Sequence, residues 1–315
     1  MKKLKLSLLL SMLALALAAC DDYEEYIKDN EFTAVYFGTQ KPLRTIVAYD
    51  EMKFKVGVTL AGRRDNKQDE WATFEVDPSL LTNTSFKLLP KEYYTLSDEN
   101  RMVIPAGKFI GDVTVTLNKA AFTSDPLAHT NTYALPLRLK ETSVDSILLG
   151  KLDLDGGVLT PAKDYTVLVV KYISPLHGVY YHKGTQRKLD NAGNVTEETV
   201  YSTTDLSKNQ TWNLTTLALN EVETSGAGTF VTTTVNNVKN SFGLKLIRNA
   251  DNTVTIEKAA GSKVTILQSS GTYDATKREF NLEYRFTANG STYSVTDQLI
   301  LRQAPELDLR FEEWQ

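Results

Sequence analysis

The chain has 315 residues, with 35 Lys and Arg against 39 Asp and Glu, and a formal net charge of −4. This mildly acidic composition has no basic block, which disfavours nucleic acid as a partner because phosphate binding needs clustered Lys and Arg. A single cysteine excludes an internal disulfide. Hydrophobic residues make up 42% of the chain, enough for packed cores, and the length favours two domains over one.

The first 19 residues have the pattern of a secretory signal peptide. Lys2, Lys3 and Lys5 form a basic start, and residues 6–19 form an uncharged apolar run that ends in small residues. The run is too short to cross a bilayer, which needs about 20 apolar residues. The sequence therefore predicts a cleaved leader over residues 1–19 and no transmembrane anchor.

The next feature is the junction of the apolar run with an acidic segment. Residues 17–20 (LAAC) resemble the lipobox of bacterial lipoproteins, which implies cleavage before Cys20 and lipidation of its sulfur. Two or three acyl chains hold a protein stably on a membrane, whereas one binds marginally. Residues 21–25 (DDYEE) resemble the surface-export signal of Bacteroidetes lipoproteins. These resemblances imply a lipidated tether over 20–31 and an outer-membrane protein on the cell surface. The alternatives are a chance cysteine and an ordinary solvated linker.

Short alternating runs over residues 32–173 predict β-strands. They include MKFKVGVTL (52–60) and DVTVTLN (112–118), in which apolar residues recur at every second position. The run DYTVLVVKYI (164–173) is more continuously apolar, as expected of a strand that is buried on both faces. One helical turn at most is expected, around residues 125–132. The spacing of strands and turns predicts a β-sandwich.

A new set of strands begins after Pro175, and we predict a second domain over residues 174–315. Its clearest element is a hairpin over residues 279–302, in which apolar side chains alternate from Phe280 to Phe286. Successive strands of this kind predict an antiparallel meander, closed as a lipocalin-like barrel or folded as a sandwich. Trp314, near the end, is expected to cap that barrel. The fold class is therefore predicted to be all-β.

Three segments resemble the immunoglobulin-like N-terminal domain of Bacteroidetes surface lipoproteins. They are PKEYY (90–94), VIPAG (103–107) and YALPLRL (133–139), and the resemblance covers roughly residues 32–174. The matching positions are structural, so the resemblance implies a fold more firmly than an activity. Similar domains are encoded in polysaccharide-utilisation clusters, beside outer-membrane glycan importers.

The resemblance also bears on catalysis. Some of these domains precede a chitinase-like glycosidase, and others precede a second β domain in non-catalytic glycan-binding lipoproteins. The chain has no β/α alternation after Pro175 and lacks the D-x-x-D-x-D-x-E motif of those enzymes. It therefore resembles the non-catalytic type, with an all-β second domain of poorly defined function.

Aromatic side chains are the strongest pointer to a ligand. Sugars present flat C–H faces that stack on Trp and Tyr rings, while amides hold their hydroxyl groups. Adjacent tyrosines on a strand face opposite sides, so one of Tyr180 and Tyr181 is expected to face outward. Core packing is the alternative for each aromatic residue. The candidate ligand-binding residues are Trp212, Tyr180, Tyr181, Asn209, Gln210 and Trp71.

The sequence leaves three functions open. The favoured one is non-catalytic binding of an oligo- or polysaccharide in support of an importer. A structural or adhesive protein would instead expose an apolar patch or an unpaired strand edge. A glycoside hydrolase would need paired carboxylates, for which Glu283 and Asp297 are candidates. We predict no catalytic residue and no cofactor. We also predict no metal, because Asp153 and Asp155 lack the further ligands of a calcium loop.

Overall fold

The computed structural model describes residues 29, 32–309 and 312–315 as two β-rich bodies that meet at Ser174. The predicted all-β fold class is confirmed. The predicted signal peptide, the lipidation site Cys20 and most of the acidic tether lie outside the described residues.

The first body contains thirteen strands in chain order. They are β1 (Ala34–Phe37), β2 (Pro42–Val47), β3 (Lys53–Ala61), β4 (Glu70–Val76), β5 (Lys87–Leu88), β6 (Tyr94–Leu96), β7 (Arg101–Ile104), β8 (Ile110–Leu117), β9 (Tyr133–Thr142), β10 (Ser146–Ile147), β11 (Lys151–Leu152), β12 (Val158–Thr160) and β13 (Tyr165–Ile173). Short 3-10 helices span Pro78–Leu81 and Lys91–Tyr93.

Two sheets pack face to face in this body as a β-sandwich. One has the order β10-β1-β3-β8-β6, and the other contains β2-β13-β9-β4-β7, with β5 paired to β9. Val56, Val58 and Leu60 of β3 are buried, and Val56 lies opposite the buried Val113 of β8. The period of two places these apolar side chains in the core between the sheets.

Strand β13 lies between β2 and β9. Its residues 166–170 are all buried. The prediction of a strand buried on both faces is confirmed, because one face of β13 packs into the core between the sheets and Val167 and Val169 pack into a second cluster on the outer side.

Residues 125–132 form turns, which agrees with the expectation of one turn at most. A helix that was not predicted precedes them, since α1 spans Lys119–Ser124. Asn118 caps the helix, since its Oδ1 accepts a hydrogen bond from the N–H of Ala121 at 3.3 Å. The start signal of the helix is therefore Asn118, which the hydrophobic pattern does not reveal.

The remaining strands follow Ser174 in the chain, and all but the last of them belong to the second body. They are β14 (Gly178–Leu189), β15 (Val195–Val200), β16 (Gln210–Ala218), β17 (Glu221–Thr224), β18 (Gly226–Ala227), β19 (Phe230–Val231), β20 (Thr233–Val235), β21 (Val238–Asn240), β22 (Leu244–Arg248), β23 (Val254–Lys258), β24 (Thr265–Asp274), β25 (Glu279–Ala288), β26 (Ser291–Leu301) and β27 (Glu312–Glu313). A 3-10 helix spans Leu206–Lys208, and helix α2 spans Pro305–Asp308.

Eight of these strands form a nearly closed up-and-down barrel. The chain passes in sequence through β14, β16, β17, β22, β23, β24, β25 and β26, and β26 pairs back onto β14. An isolated bridge between Thr253 and Thr272 brings β23 and β24 together. Strand β15 pairs with the far half of β14. The predicted meander is therefore present, and it is close to the barrel form.

The chain end returns to the first body. Strand β27 pairs with β2, so residues 312–315 leave the barrel, in contrast to the predicted second domain over 174–315. The expectation that Trp314 caps the barrel is wrong. Its ring packs on Phe86 at 4.9 Å, and its Nε1 donates to the carbonyl oxygen of Val167 at 2.6 Å, because β27 extends the second sheet of the sandwich.

Polar contacts join the two bodies. The Ser174 hydroxyl donates to the carbonyl oxygen of Leu219 at 2.7 Å. Arg278 of the barrel donates to the Tyr49 hydroxyl of the first body, and that hydroxyl donates to Glu306 at 2.7 Å. The bodies are thus connected by hydrogen bonds as well as by the chain.

Candidate functional site

Two of the predicted sugar-stacking residues lie inside the barrel. Tyr180 is 0% exposed and Trp212 is 1% exposed. They face each other in the register of β14 and β16, so both point inward. The prediction that they form an open surface is wrong, because Trp212 alternates with exposed polar neighbours and shares its inward face with the buried Leu214.

Asn209 and Gln210 do not form a ligand surface with these aromatics. Asn209 is buried and holds its own loop together, accepting from the Thr203 N–H at 3.0 Å and donating to the Thr203 carbonyl oxygen at 3.2 Å. Gln210 is exposed beside this loop. The amide of Asn209 is therefore already bonded to the backbone of its own loop, and the prediction that it holds a sugar hydroxyl is wrong.

The remaining two candidates lie on outer surfaces of different bodies. Tyr181 faces outward from β14 and is half-buried, which confirms that the two adjacent tyrosines face opposite sides. Trp71 lies on β4 of the sandwich, with the guanidinium of Arg101 at 4.8 Å from its ring centroid. The structure therefore does not bring the six predicted residues into one site.

A buried polar cluster fills one part of the barrel interior. Asp297 and His182 are nearly inaccessible, and His182 Nε2 donates to Asp297 Oδ1 at 3.0 Å. The hydroxyls of Tyr201 and Tyr284 donate to the same carboxylate at 2.5 and 2.6 Å. A buried carboxylate needs such partners, since an unpaired charge in a core is costly.

The two tyrosines of this cluster remain donors. Burial raises the pKa of the Tyr201 hydroxyl, and the negative charge of Asp297 raises it further. The same two causes raise the pKa of Tyr284 well above its ordinary value. Tyr284 also accepts from the N–H of Gly228 at 2.7 Å, which ties the β18–β19 loop to the cluster. This arrangement links three barrel strands to Tyr201, and the side chains of His182, Asp297 and Tyr284 are buried.

An open polar groove lies on the other side of the same wall. Two rows of four side chains cross β14, β26, β25 and β24 on their outer face, in register with one another. The groove has a volume of about 790 Å³. The first row is Lys183, Gln298, Asn281 and Thr272, and the second is Thr185, Thr296, Glu283 and Ser270.

The groove combines neutral and charged hydrogen-bonding groups. Lys183 and Glu283 bring one positive and one negative side chain, and the other six members of the two rows are hydroxyls and amides. Gln298 donates to Glu279, which lies one row further along β25. Tyr181 lies two residues before Lys183 on the same face of β14, so its half-buried ring borders the first row. The surface can bind a polar ligand by many hydrogen bonds.

The two carboxylates considered for hydrolysis both belong to the wall of this groove, but only the side chain of Glu283 faces into it. Leu282 pairs with Asp297 across β25 and β26, so Asp297 faces the interior. Glu283, the next residue, faces outward and is exposed. The two side chains point to opposite faces of the sheet.

The groove was not predicted as a site, although its signal is present in the sequence. In the hairpin of β25 and β26, the residues Asn281 and Glu283 alternate with the buried Phe280, Leu282 and Tyr284. The alternation predicts an outer polar face. It does not indicate that two further strands, β14 and β24, extend this face into a groove, because that depends on how the barrel closes.

The described residues contain neither a metal-binding cluster nor a helix suited to cross a membrane. Among residues 29, 32–309 and 312–315, no group of three or more His, Cys, Asp or Glu side chains is arranged to hold a metal ion. Asp153 Oδ1 instead accepts from the N–H groups of Asp155 and Gly157 in its own turn. Over the same residues, no helix has both the length and the apolar character required to cross a membrane.

Comparison with known proteins identifies relatives of the fold. A family model described as "-like, N-terminal domain" matches residues 28–146. The crystal structure of a protein of unknown function from Bacteroides ovatus is 22% identical, with a TM-score of 0.73 over 87% of this chain and 95% of that chain. No curated protein matches the chain. Residues 28–146 are therefore similar to this N-terminal domain, and the chain shares its overall fold with the Bacteroides ovatus protein.

Two further Bacteroides ovatus structures are similar at a lower level. A second protein of unknown function is 15% identical, with a TM-score of 0.41 over 90% of this chain and 100% of that chain. A multidomain protein including DUF1735 is 12% identical, with a TM-score of 0.42 over the same shares of the two chains.

Proposed function

We propose that this chain is a lipid-anchored cell-surface protein whose barrel binds a glycan without cleaving it. The observation that carries the proposal is the outer groove of β14, β26, β25 and β24, with its two registered rows of hydrogen-bonding side chains. The ligand class is an oligo- or polysaccharide. The site differs from the one predicted from the sequence, because it lies on the outer wall and not around Trp212.

The chemistry of the groove supports a sugar ligand. A saccharide offers hydroxyl groups that both donate and accept, and the amides of Asn281 and Gln298 can do the same. Thr272 and Ser270 add hydroxyls on the neighbouring strand. Tyr181 contributes an aromatic ring beside the first row, suited to the C–H face of a sugar. An open surface across four strands favours an extended chain over a small enclosed ligand.

The position of the carboxylates supports binding without hydrolysis. Glycosidases place two carboxyl groups about 5–10 Å apart on either side of the scissile bond. Glu283 is in the groove, but Asp297 lies beneath the sheet and accepts from buried donors. Asp297 is thereby assigned to the fold, which leaves Glu283 as a binding group.

The anchored location is supported by the sequence before the described residues. The LAAC segment at 17–20 and the acidic segment at 21–25 resemble the signals of exported Bacteroidetes lipoproteins. The similar structures come from Bacteroides ovatus. In this proposal the sandwich spaces the barrel away from the membrane, and the barrel holds glycan for an outer-membrane importer.

A glycan-array screen of residues 22–315 tests the binding proposal. This chain retains every described residue. The double variant Asn281→Ala with Gln298→Ala is expected to lower the affinity for glycan about tenfold or more, because two hydrogen bonds are lost. Asn213→Ala is the matched control, since Asn213 is an exposed amide on β16 outside the groove. Absence of any bound glycan, or equal loss in the control, would contradict the proposal.

A further inference from the structure

The hairpin formed by β11 and β12 exposes an unusual amount of apolar surface. We call residues 149–159 the aliphatic hairpin. Folded proteins seldom expose several large aliphatic side chains side by side unless something covers them. The five exposed aliphatic side chains, each between 66% and 107% exposed, are Leu149, Leu152, Leu154, Val158 and Leu159.

The aliphatic hairpin lies close to the point where the chain enters the sandwich. The N–H of Thr33 donates to Asp145 at 2.8 Å, and the N–H of Leu148 donates to the carbonyl oxygen of Val35. The aliphatic hairpin therefore begins next to β1, the first strand of the sandwich, in space. The barrel is reached only after the nine residues of β13, a path of about 30 Å at the usual rise of a strand.

The length of chain before the first strand suggests what covers this surface. Cys20 precedes Phe32 by twelve residues, and twelve residues can span at most about 40 Å. A membrane that holds Cys20 is thus within reach of the aliphatic hairpin. We propose that the aliphatic hairpin docks on the lipid surface to which the chain is anchored. This inference rests on the anchored location proposed above and is independent of glycan binding.

The geometry of the hairpin tip suits shallow contact with lipid. Backbone polar groups that enter an apolar environment must be paired within the protein. At the tip, Asp153 Oδ1 accepts from the N–H groups of Asp155 and Gly157, and the Asp153 N–H donates to the Gly157 carbonyl oxygen at 2.8 Å. The charged Lys151, Asp153 and Asp155 keep the hairpin at the headgroup level, where aliphatic side chains enter the edge of the acyl region.

The orientation that follows places the barrel away from the membrane. With the aliphatic hairpin against lipid, β13 leads from the membrane side to Ser174, where the second body begins. The hydrogen bonds of Arg278 and Glu306 with Tyr49 then connect the barrel to the sandwich in this orientation. Contact between the aliphatic hairpin and lipid would then hold the described part of the chain in one orientation relative to the membrane.

The test couples the chain to vesicles chemically. Residues 20–315 are linked through the thiol of Cys20, the only cysteine, to a maleimide lipid in vesicles of phosphatidylethanolamine with a minority of phosphatidylglycerol. Hydrogen exchange is compared with the same chain free in solution. We expect exchange over residues 149–159 to slow several-fold on the vesicles. Because the link to lipid is chemical, unaltered exchange on vesicles cannot result from a failure of natural acylation. Mass spectrometry of the native protein tests the acylation of Cys20 separately.

Matched variants identify the surface responsible. Leu152→Ser with Leu154→Ser and Leu159→Ser should abolish the protection, while Val235→Ser with Val238→Ser, in the exposed β20–β21 hairpin of the barrel, should leave it unchanged. Unaltered exchange on vesicles would overturn the proposal. Protection that also appears without vesicles as the chain is concentrated would overturn it in favour of a contact between copies.

Discussion

The imidazole of His182 stacks on the indole of Trp212, with ring centroids 3.7 Å apart and planes 20° apart. The same imidazole donates to Asp297, so the indole covers a buried hydrogen-bonded pair. Trp212 was expected to offer its face to a sugar, and its face is occupied by His182 instead. The tryptophan therefore serves the stability of the barrel.

Removing this indole should destabilise the barrel strongly. Trp212→Ala is expected to lower the free energy of unfolding by about 3–5 kcal/mol, the range for loss of a buried large aromatic side chain. Trp71→Ala, at a half-buried position of the sandwich, is the control and should cost less. Urea denaturation measures both. A Trp212→Ala protein with unchanged stability and lost glycan binding would restore the original prediction.

The Tyr284 hydroxyl is bonded to both the Gly228 N–H and the Asp297 carboxylate, so its removal should leave each of them one partner short. Tyr284→Phe leaves the N–H of Gly228 without this acceptor and removes one donor from Asp297. We expect a loss of about 1–3 kcal/mol in the free energy of unfolding, the usual cost of an unsatisfied buried group. Tyr293→Phe, on a half-buried ring of the same core, should change stability less. Equal costs would indicate that the Asp297 contact contributes nothing specific.

Stability should fall at alkaline pH, partly through Tyr133. The hydrogen bond from its hydroxyl to Asp125, followed by burial, raises the pKa of Tyr133 from 10.0 to about 12. The folded chain therefore holds this proton where the unfolded chain releases it, so the stabilisation is complete below pH 10 and is lost as pH rises toward 12. Tyr133→Phe should flatten that part of the stability profile measured by urea denaturation. A profile as steep as that of the unaltered protein would contradict this assignment.

The barrel wall could be predicted because local patterns determine it. In β25, the alternation of Phe280, Leu282, Tyr284 and Phe286 with polar residues identifies both the strand and its inward face. The same rule applies to β3 and β8 of the sandwich, where apolar residues recur at every second position. A period of two needs no knowledge of the partner strand, so sequence analysis reaches the fold class and the meander.

The groove and the buried cluster depend on contacts that local patterns do not encode. Asp297 forms hydrogen bonds with His182, 115 residues away in sequence, and with Tyr201, 96 residues away. These meetings follow from the pairing of β26 with β14, which closes the barrel. The return of Trp314 to the sandwich has the same origin, since its contacts with Phe86 and Val167 join the end of the chain to strands formed much earlier.

The C-terminal residues should stabilise the sandwich from which they are distant in sequence. Trp314→Ala removes the ring contact with Phe86 and the hydrogen bond to Val167, and we expect a loss of about 1–3 kcal/mol in the free energy of unfolding. Trp314→Phe keeps an aromatic ring and should recover part of the loss. Hydrogen exchange in β2 and β13 should rise in the alanine variant. No change in either strand would mean that the return of the chain adds no stability there.

A methyl group at Gly184 should disturb the Asp297 cluster from the backbone side. A Cβ at this position would meet the backbone oxygen of Thr296, Asp297 Oδ1 at 2.6 Å and Tyr201 Cε2 at 3.0 Å. Glycine thus makes room for the Tyr201–Asp297 hydrogen bond, and Gly184→Ala is expected to cost about 1–3 kcal/mol in the free energy of unfolding through overpacking. Gly38→Ala is the matched control, because a Cβ there meets nothing within 4 Å. Equal melting temperatures for Gly184→Ala and Gly38→Ala would mean that the strands around Gly184 accommodate the methyl group without loss of stability.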